Sequence, residues 1–174
     1  DSDAPDFSQV NEAKNKNLIE CIVSLTKAGA PSKIFDFYCG SGNFTIPLAQ
    51  AFPELPVLGI EINPRLVELA KKRATLLGLK NIQFLNLDTS HFKTEEFSES
   101  LVLVDPPRAG CDKAWLEKLL RFRPKTIIYI SCHPATALRD WKILSPNYEV
   151  TKIQGFDMFP QTDHLELIGL LRQK

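Results

Sequence analysis

Short runs of apolar, β-forming residues alternate with amphipathic segments along nearly the whole chain. Runs at 33–38, 57–61, 82–87, 101–105 and 126–131 predict strands. Two more, at 148–155 and 164–171, follow with no helical pattern between them. Helical periodicity predicts helices over 43–51, 64–77, 113–122 and 134–144, and another after Asn11, where Leu18, Ile22 and Leu25 recur on one face. The 64–77 helix is the best punctuated, with Asn63 to cap it, Pro64 in its first turn and Gly78 to end it. Leu66, Ala70, Ala74 and Leu77 would line its buried face. Strands separated by helices imply a parallel sheet covered on both faces, and the last two strands an antiparallel hairpin at its end. The expected fold is therefore α/β, with a seven-stranded, mostly parallel sheet. There is no repeat, low-complexity tract or second domain; residues 1–6 read as a linker stub before one domain at 7–174.

Composition narrows the class. Apolar residues make up 44% and charged residues 24%, an ordinary globular balance. The formal net charge is zero, so the overall basic footprint of a free-standing nucleic-acid binder is missing, and any grip on nucleic acid needs a local patch or further segments. No apolar run reaches membrane-spanning length and no leader is present, so no membrane association is expected. The single methionine is Met158, so the chain reads as part of something longer. Four cysteines without CxxC spacing or a histidine ladder predict neither a metal site nor a disulfide framework, and a cytoplasmic setting is the expectation.

Ligands of open parallel sheets bind beyond the carboxyl ends of the strands, so the residues that follow each strand are informative. The first strand runs into DFYCGSGNF (36–44), where Gly40 and Gly42 suit a tight turn that a ligand can approach closely. The second ends at Glu61, the third at Asp88, the fourth at DPPR (105–108) and the fifth at Cys132. A Gly-x-Gly turn with an acid after the next strand suits an adenosine-bearing cofactor. The third glycine of a dinucleotide fingerprint is replaced by Thr45, and Asp36 ahead of the turn is more typical of S-adenosylmethionine sites. The competing reading is a plain βα turn capped by Asn43. DPPR can end a strand without further purpose, or stiffen a loop that presents Asp105 and Arg108.

The cysteines divide. Cys21 belongs to a helical pattern, Cys39 to the glycine turn, and Cys111 to a loop without an activating partner. Cys132 lies between a strand end and a helix opening at Pro134; a helix N-terminus lowers a thiol pKa, so packing and nucleophilic attack are both open. In DHLELIGLL (163–171), alternation puts His164, Glu166 and Ile168 on one face. The leucines flanking Glu166 would raise its pKa toward a working base, unless it faces solvent on an edge strand. His91 and His133 suggest only polar loop positions.

Taken together, FSQVN (7–11), DFYCGSGNF, DPPRAG, YISCHPAT (129–136) with LRD (138–140), and DMFPQTDHLE (157–166) resemble the catalytic domain of RNA uracil-5 methyltransferases, which form 5-methyluridine in tRNA and rRNA. The resemblance implies a Rossmann-like class I S-adenosylmethionine-dependent methyltransferase fold. It implies cofactor contacts from Gln9, Tyr38, Asn43, Glu61 and Asp105 beside the Gly40–Gly42 turn, and from Asp88 on the adenine side. It also implies Cys132 as nucleophile, Glu166 as general base and a structured RNA loop as substrate. Two departures stand out: His133 replaces the family's usual asparagine, and the upstream RNA-binding portions are absent. RNA cytosine-5 methyltransferases also use a thiol, but theirs usually includes a second cysteine just after the proline of the fourth-strand motif; here DPPR has none before Cys111. A non-catalytic cofactor- or RNA-binding module on this fold is the alternative of another class, and a nicotinamide oxidoreductase a distant third.

Overall fold

A computed structural model describes residues 12–93, 97–157 and 165–174. In chain order the elements are α1 (Glu12–Gly29), β1 (Lys33–Phe37), α2 (Thr45–Ala51), β2 (Val57–Glu61), α3 (Pro64–Leu76), β3 (Ile82–Asn86), β4 (Ser100–Val104), α4 (Lys113–Phe122), β5 (Thr126–Ser131), α5 (Pro134–Leu144), β6 (Tyr148–Asp157) and β7 (Leu165–Gln173). A short 3-10 turn, Thr89–His91, follows β3. The seven strands form one sheet in the order β3-β2-β1-β4-β5-β7-β6. The first five are mutually parallel, and β7 runs antiparallel to both β5 and β6. Predicted and observed elements coincide except at their ends, and β6 rather than β7 is the edge of the hairpin.

The central strand β4 (SLVLV) is buried at every position, as expected of a strand covered on both faces. One face carries an aromatic core in which Phe35, Phe37, Phe97 and Trp115 meet the α4 and α5 side chains Leu116, Leu119 and Trp141. The other packs Leu18, Ile22 and Leu25 of α1 and Leu48 of α2 against Ile34, Leu101, Leu103 and Ile128. One local expectation needs correction, and one competing reading fails. The buried face of α3 is Val67, Ala70 and Ala74, while Leu77 is exposed because it follows the last helical residue and the chain turns away through Gly78 at φ +68°. Asn43 does not cap α2: its amide is engaged with Asn15 of α1, and Phe44 occupies the cap position with no side-chain hydrogen bond.

The hairpin is fixed against α5 by one close approach. A Cβ added to Gly169 of β7 would lie 2.3 Å from Cζ2 of Trp141, whose ring is buried and meets Tyr129 edge-on at 6.2 Å. Gly169→Ala is therefore expected to destabilise by about 1–3 kcal/mol, the usual cost of overpacking. Melting temperature should fall by roughly 2–4 °C per kcal/mol; a thermal melt that coincides with wild type would show that the ring moves aside freely.

Candidate active site

Strand order reverses at β1, which pairs with β2 on one side and β4 on the other, so the loops leaving β1 and β4 diverge and open a crevice. The β1–α2 loop lines it. Tyr38, Gly40 and Gly42 all adopt positive φ (63°, 54° and 86°). A tyrosine held in that region is strained and persists only where its surroundings impose it. Here Cys39 N–H donates to Ile60 O at 3.1 Å, Gly42 N–H to Cys39 O at 2.9 Å, and Gly40 N–H to Glu61 Oε2 at 3.0 Å. The other Glu61 oxygen accepts from Asn63 N–H at 2.8 Å, so this carboxylate is held at both ends beside the turn. Arg73 of α3 donates to Ser41 O at 2.9 Å and ties down the far side of the loop. The Cys39 sulfur packs on Gly59, where a Cβ would come within 2.9 Å of it, so its role is structural.

Beneath the loop lies Asp36, fully buried. Its Oδ2 accepts from Thr45 Oγ at 2.5 Å, which explains a threonine where a third glycine would stand in a dinucleotide site. Its Oδ1 has no partner among the described residues. Burial pushes the Asp36 pKa up to about 7, against the opposing Thr45 hydrogen bonds. Asp105, immediately after β4, keeps some accessible surface, but protein surrounds its carboxyl; burial, then Glu166, then Asp36 push it up to about 8.

Cys132 and Glu166 meet on the same edge. Ser131 pairs with Leu167 in the β5–β7 ladder, so the next antiparallel position sets Cys132 opposite Glu166. Both are half-buried, and burial raises the pKa of each. The thiol is raised further by the Glu166 charge, which reverses the expectation of a thiol acidified by a helix N-terminus. The reason is local. The N-cap of α5 is His133, one residue beyond the thiol, and its Nδ1 lies 3.4 Å from Thr136 N–H. Pro134 has no N–H to offer. His133 is thus a helix cap, and not merely a polar loop residue.

The remaining predicted positions divide. Asp88 lies at the same edge, but its Oδ1 accepts from Ser90 N–H at 2.7 Å to start the 3-10 turn, and that bond lowers its pKa. Tyr38 directs its hydroxyl to Thr89 Oγ at 3.4 Å. Gln9 and His164 lie outside the described residues. Glycine spacing and strand-end acids were visible in the sequence; Thr45, the Asn15–Asn43 pair and the Tyr129–Asp140 network described below were not, and only the LRD triplet hinted at the last. All four cysteines are free thiols, and among the described residues no His, Cys, Asp or Glu cluster could hold a metal ion. No described helix is long and apolar enough to cross a membrane. The surface clefts lined by Gln50 and Lys80, and by Glu99 and Lys125, both lie at the amino edge of the sheet, away from this chemistry.

A seven-stranded sheet of this order, with a glycine turn and strand-end acids, is the class I methyltransferase fold. The N-methyltransferase NodS of Bradyrhizobium japonicum, solved with S-adenosyl-L-homocysteine, shares that fold at 18% identity and a TM-score of 0.79, over 99% of this chain and 93% of its own. The family profile described as tRNA (Uracil-5-)-methyltransferase matches residues 3–174, and the chain belongs to that family. A 23S rRNA (uracil(747)-C(5))-methyltransferase of Shewanella loihica is 40% identical over 85% of this chain and 39% of its own length. An uncharacterized RNA methyltransferase of Bdellovibrio bacteriovorus is 37% identical over 99% of this chain and 45% of its own. The Pyrococcus abyssi tRNA (uracil-54, C5)-methyltransferase, solved with S-adenosyl-L-homocysteine, superposes with a TM-score of 0.83 at 32% identity, over 94% of this chain and 39% of that one. The chain thus spans less than half the length of these two relatives and of the Pyrococcus structure.

Proposed function

We propose that residues 7–174 are the catalytic unit of a cytoplasmic enzyme that methylates carbon 5 of a uridine in structured RNA, tRNA or rRNA. In this reading the methyl comes from S-adenosylmethionine and a covalent adduct forms between Cys132 and carbon 6. The observation that carries this reading is the placement of Cys132 opposite Glu166, at the sheet edge from which the glycine turn also leaves. The crevice suits a cationic, adenosine-bearing cofactor. Asp36 has a buried oxygen without a partner among the described residues, Glu61 is held at the end of β2, and Gly40 leaves open space where a Cβ would stand. When bound, that cofactor supplies an electrophilic methyl group.

Everything else falls to this chain's residues. Carbon 5 of uracil is a poor nucleophile until electron density is created there. The Cys132 thiol gives up its proton to water as its sulfur adds to carbon 6, the 5,6 double bond opens toward an enolate, and carbon 5 takes up the methyl. Glu166 then removes the carbon-5 proton, the double bond re-forms, and the carbon–sulfur bond breaks to release the thiolate. Burial raises the Glu166 pKa, which makes its carboxylate a stronger base toward that proton than an ordinary one. The base must leave its stack to reach the site, at a cost of a few kcal/mol that is smallest in loops.

The test is Glu166→Gln in the full-length protein. Addition and methylation proceed, elimination does not, and an RNA–protein adduct should accumulate as a retarded band on a denaturing gel. Absence of the band on an RNA that wild type methylates would remove Glu166 as the base. A wild-type protein that forms no 5-methyluridine in any tRNA or rRNA would remove the reading itself.

A further inference from the structure

The 105–111 loop, which carries Asp105 and Arg108, is not held by its own strand. It is held by α5, the helix that begins just after Cys132. Asp140 of α5 is fully buried, and its Oδ2 accepts from Cys111 N–H at 2.8 Å and from the Tyr129 hydroxyl at 2.5 Å. Its Oδ1 accepts from Arg139 Nε at 2.8 Å and Nη2 at 2.7 Å. Arg139 Nη2 also donates to Ala109 O at 3.0 Å, and Thr136 Oγ lies 3.2 Å from Arg108 O. Between these contacts Gly110 has φ +82°, and a Cβ there would lie 2.5 Å from Arg139 Nη2 and 2.7 Å from Asp140 Oδ2. The loop is therefore seated on the pair without room to spare.

We propose that Arg139 and Asp140 are positioning residues that hold the Asp105–Arg108 loop in register with the nucleophile Cys132. Both ends of the device bear on the site. Tyr129 is in β5, three residues before Cys132, and the same carboxylate that takes its hydroxyl takes the loop amide at Cys111. The Cys111 thiol in turn lies near Tyr38, at the start of the glycine turn. A shift of the loop away from α5 moves Asp105 and Arg108 relative to the reacting base while leaving Cys132 and the glycine turn in place. Neither residue touches substrate in this scheme; they act through the loop.

The proposal rests on the uracil-5 reading for its catalytic half, so the experiment has two arms, both on the full-length protein. In the first, Arg139→Gln, whose side chain is half-exposed, should lower single-turnover methyl transfer at saturating RNA and cofactor. The expected loss is roughly 10- to 100-fold, the scale of a misplacement of about an ångström. Binding of S-adenosylmethionine should weaken too, because Asp105 moves with the loop, but transfer read at saturating cofactor separates that from the loss of geometry at the reacting centre. Arg139→Lys should recover part of the rate, and Asp140→Asn should match Arg139→Gln. In the second arm, amide hydrogen exchange without RNA should accelerate at Cys111 and across 108–111 in Arg139→Gln while β4 and β5 stay protected. Unchanged transfer in both variants, or a loss that only follows the folded fraction, overturns the positioning role. Should wild type methylate no uridine, the uracil reading fails on its own. The exchange arm still judges the clamp, and unchanged exchange at Cys111 overturns it.

Discussion

Cys132→Ala is expected to abolish methyl transfer, by on the order of 10⁴-fold or more, the scale on which removal of a covalent nucleophile acts. Folding and S-adenosylmethionine affinity should stay close to wild type. The substitution removes one sulfur from a half-buried position just after β5. The turn is held without it, because Ser131 Oγ accepts from His133 N–H at 3.0 Å and His133 caps α5. The glycine turn and Glu61 belong to β1 and β2, on the other side of β4. Transfer measured with tritiated cofactor, beside calorimetric binding of the same cofactor, separates the two effects. Methylation retained within about tenfold of wild type would remove the nucleophile assignment, because the thermal background for uncatalysed attack at carbon 5 is far lower.

The expected outcome is sharp because the parts involved come from different levels of the sequence. Element limits were readable wherever local chemistry sets them. Asn63 and Asp112 each accept from a backbone N–H two residues on, and α3 and α4 begin where predicted. At α2 the same residue type caps nothing, because Asn43 is taken by Asn15, 28 residues earlier, and no local rule could foresee that. Alternating strands and helices implied parallel pairing but not the order β3-β2-β1-β4-β5, which depends on which hydrophobic faces meet.

The site divides in the same way. Gly40, Gly42, Glu61, Asp105 and Cys132 could be placed together from the sequence because strand ends converge on one edge whatever the strand order. Electrostatics were not identifiable. The thiol was expected to be acidified, yet burial and Glu166 hold it up. Both are tertiary quantities, set by how β7 returns beside β5. The left-handed Tyr38 was equally hidden, since an aromatic side chain gives no local reason for φ 63°.

The buried acids lead to the second large effect, a stability that falls with rising pH. Asp36 and Asp105 have ordinary values near 3.8 when unfolded, and are pushed up to about 7 and about 8 in the fold, by burial above all. Between those limits the folded state binds more protons than the unfolded state, so unfolding free energy decreases as pH rises. The contribution is fully present below about pH 4 and is lost as pH climbs through 7 and 8. Each pK unit corresponds to about 1.4 kcal/mol, so a three-unit shift in one acid is worth on the order of 4 kcal/mol. Melting of ligand-free wild type between pH 6 and 8.5 should show this loss. Asp105→Asn, which cannot ionise, should lose less over the same interval, so the variant gains on wild type as pH rises. Titrating groups remote from Asp105 are common to both proteins and cancel in the difference, leaving Asp105 and the groups coupled to it, Glu166, Asp36 and Cys132. Parallel profiles would mean that water or a neighbouring cation already solvates Asp105 in the folded protein.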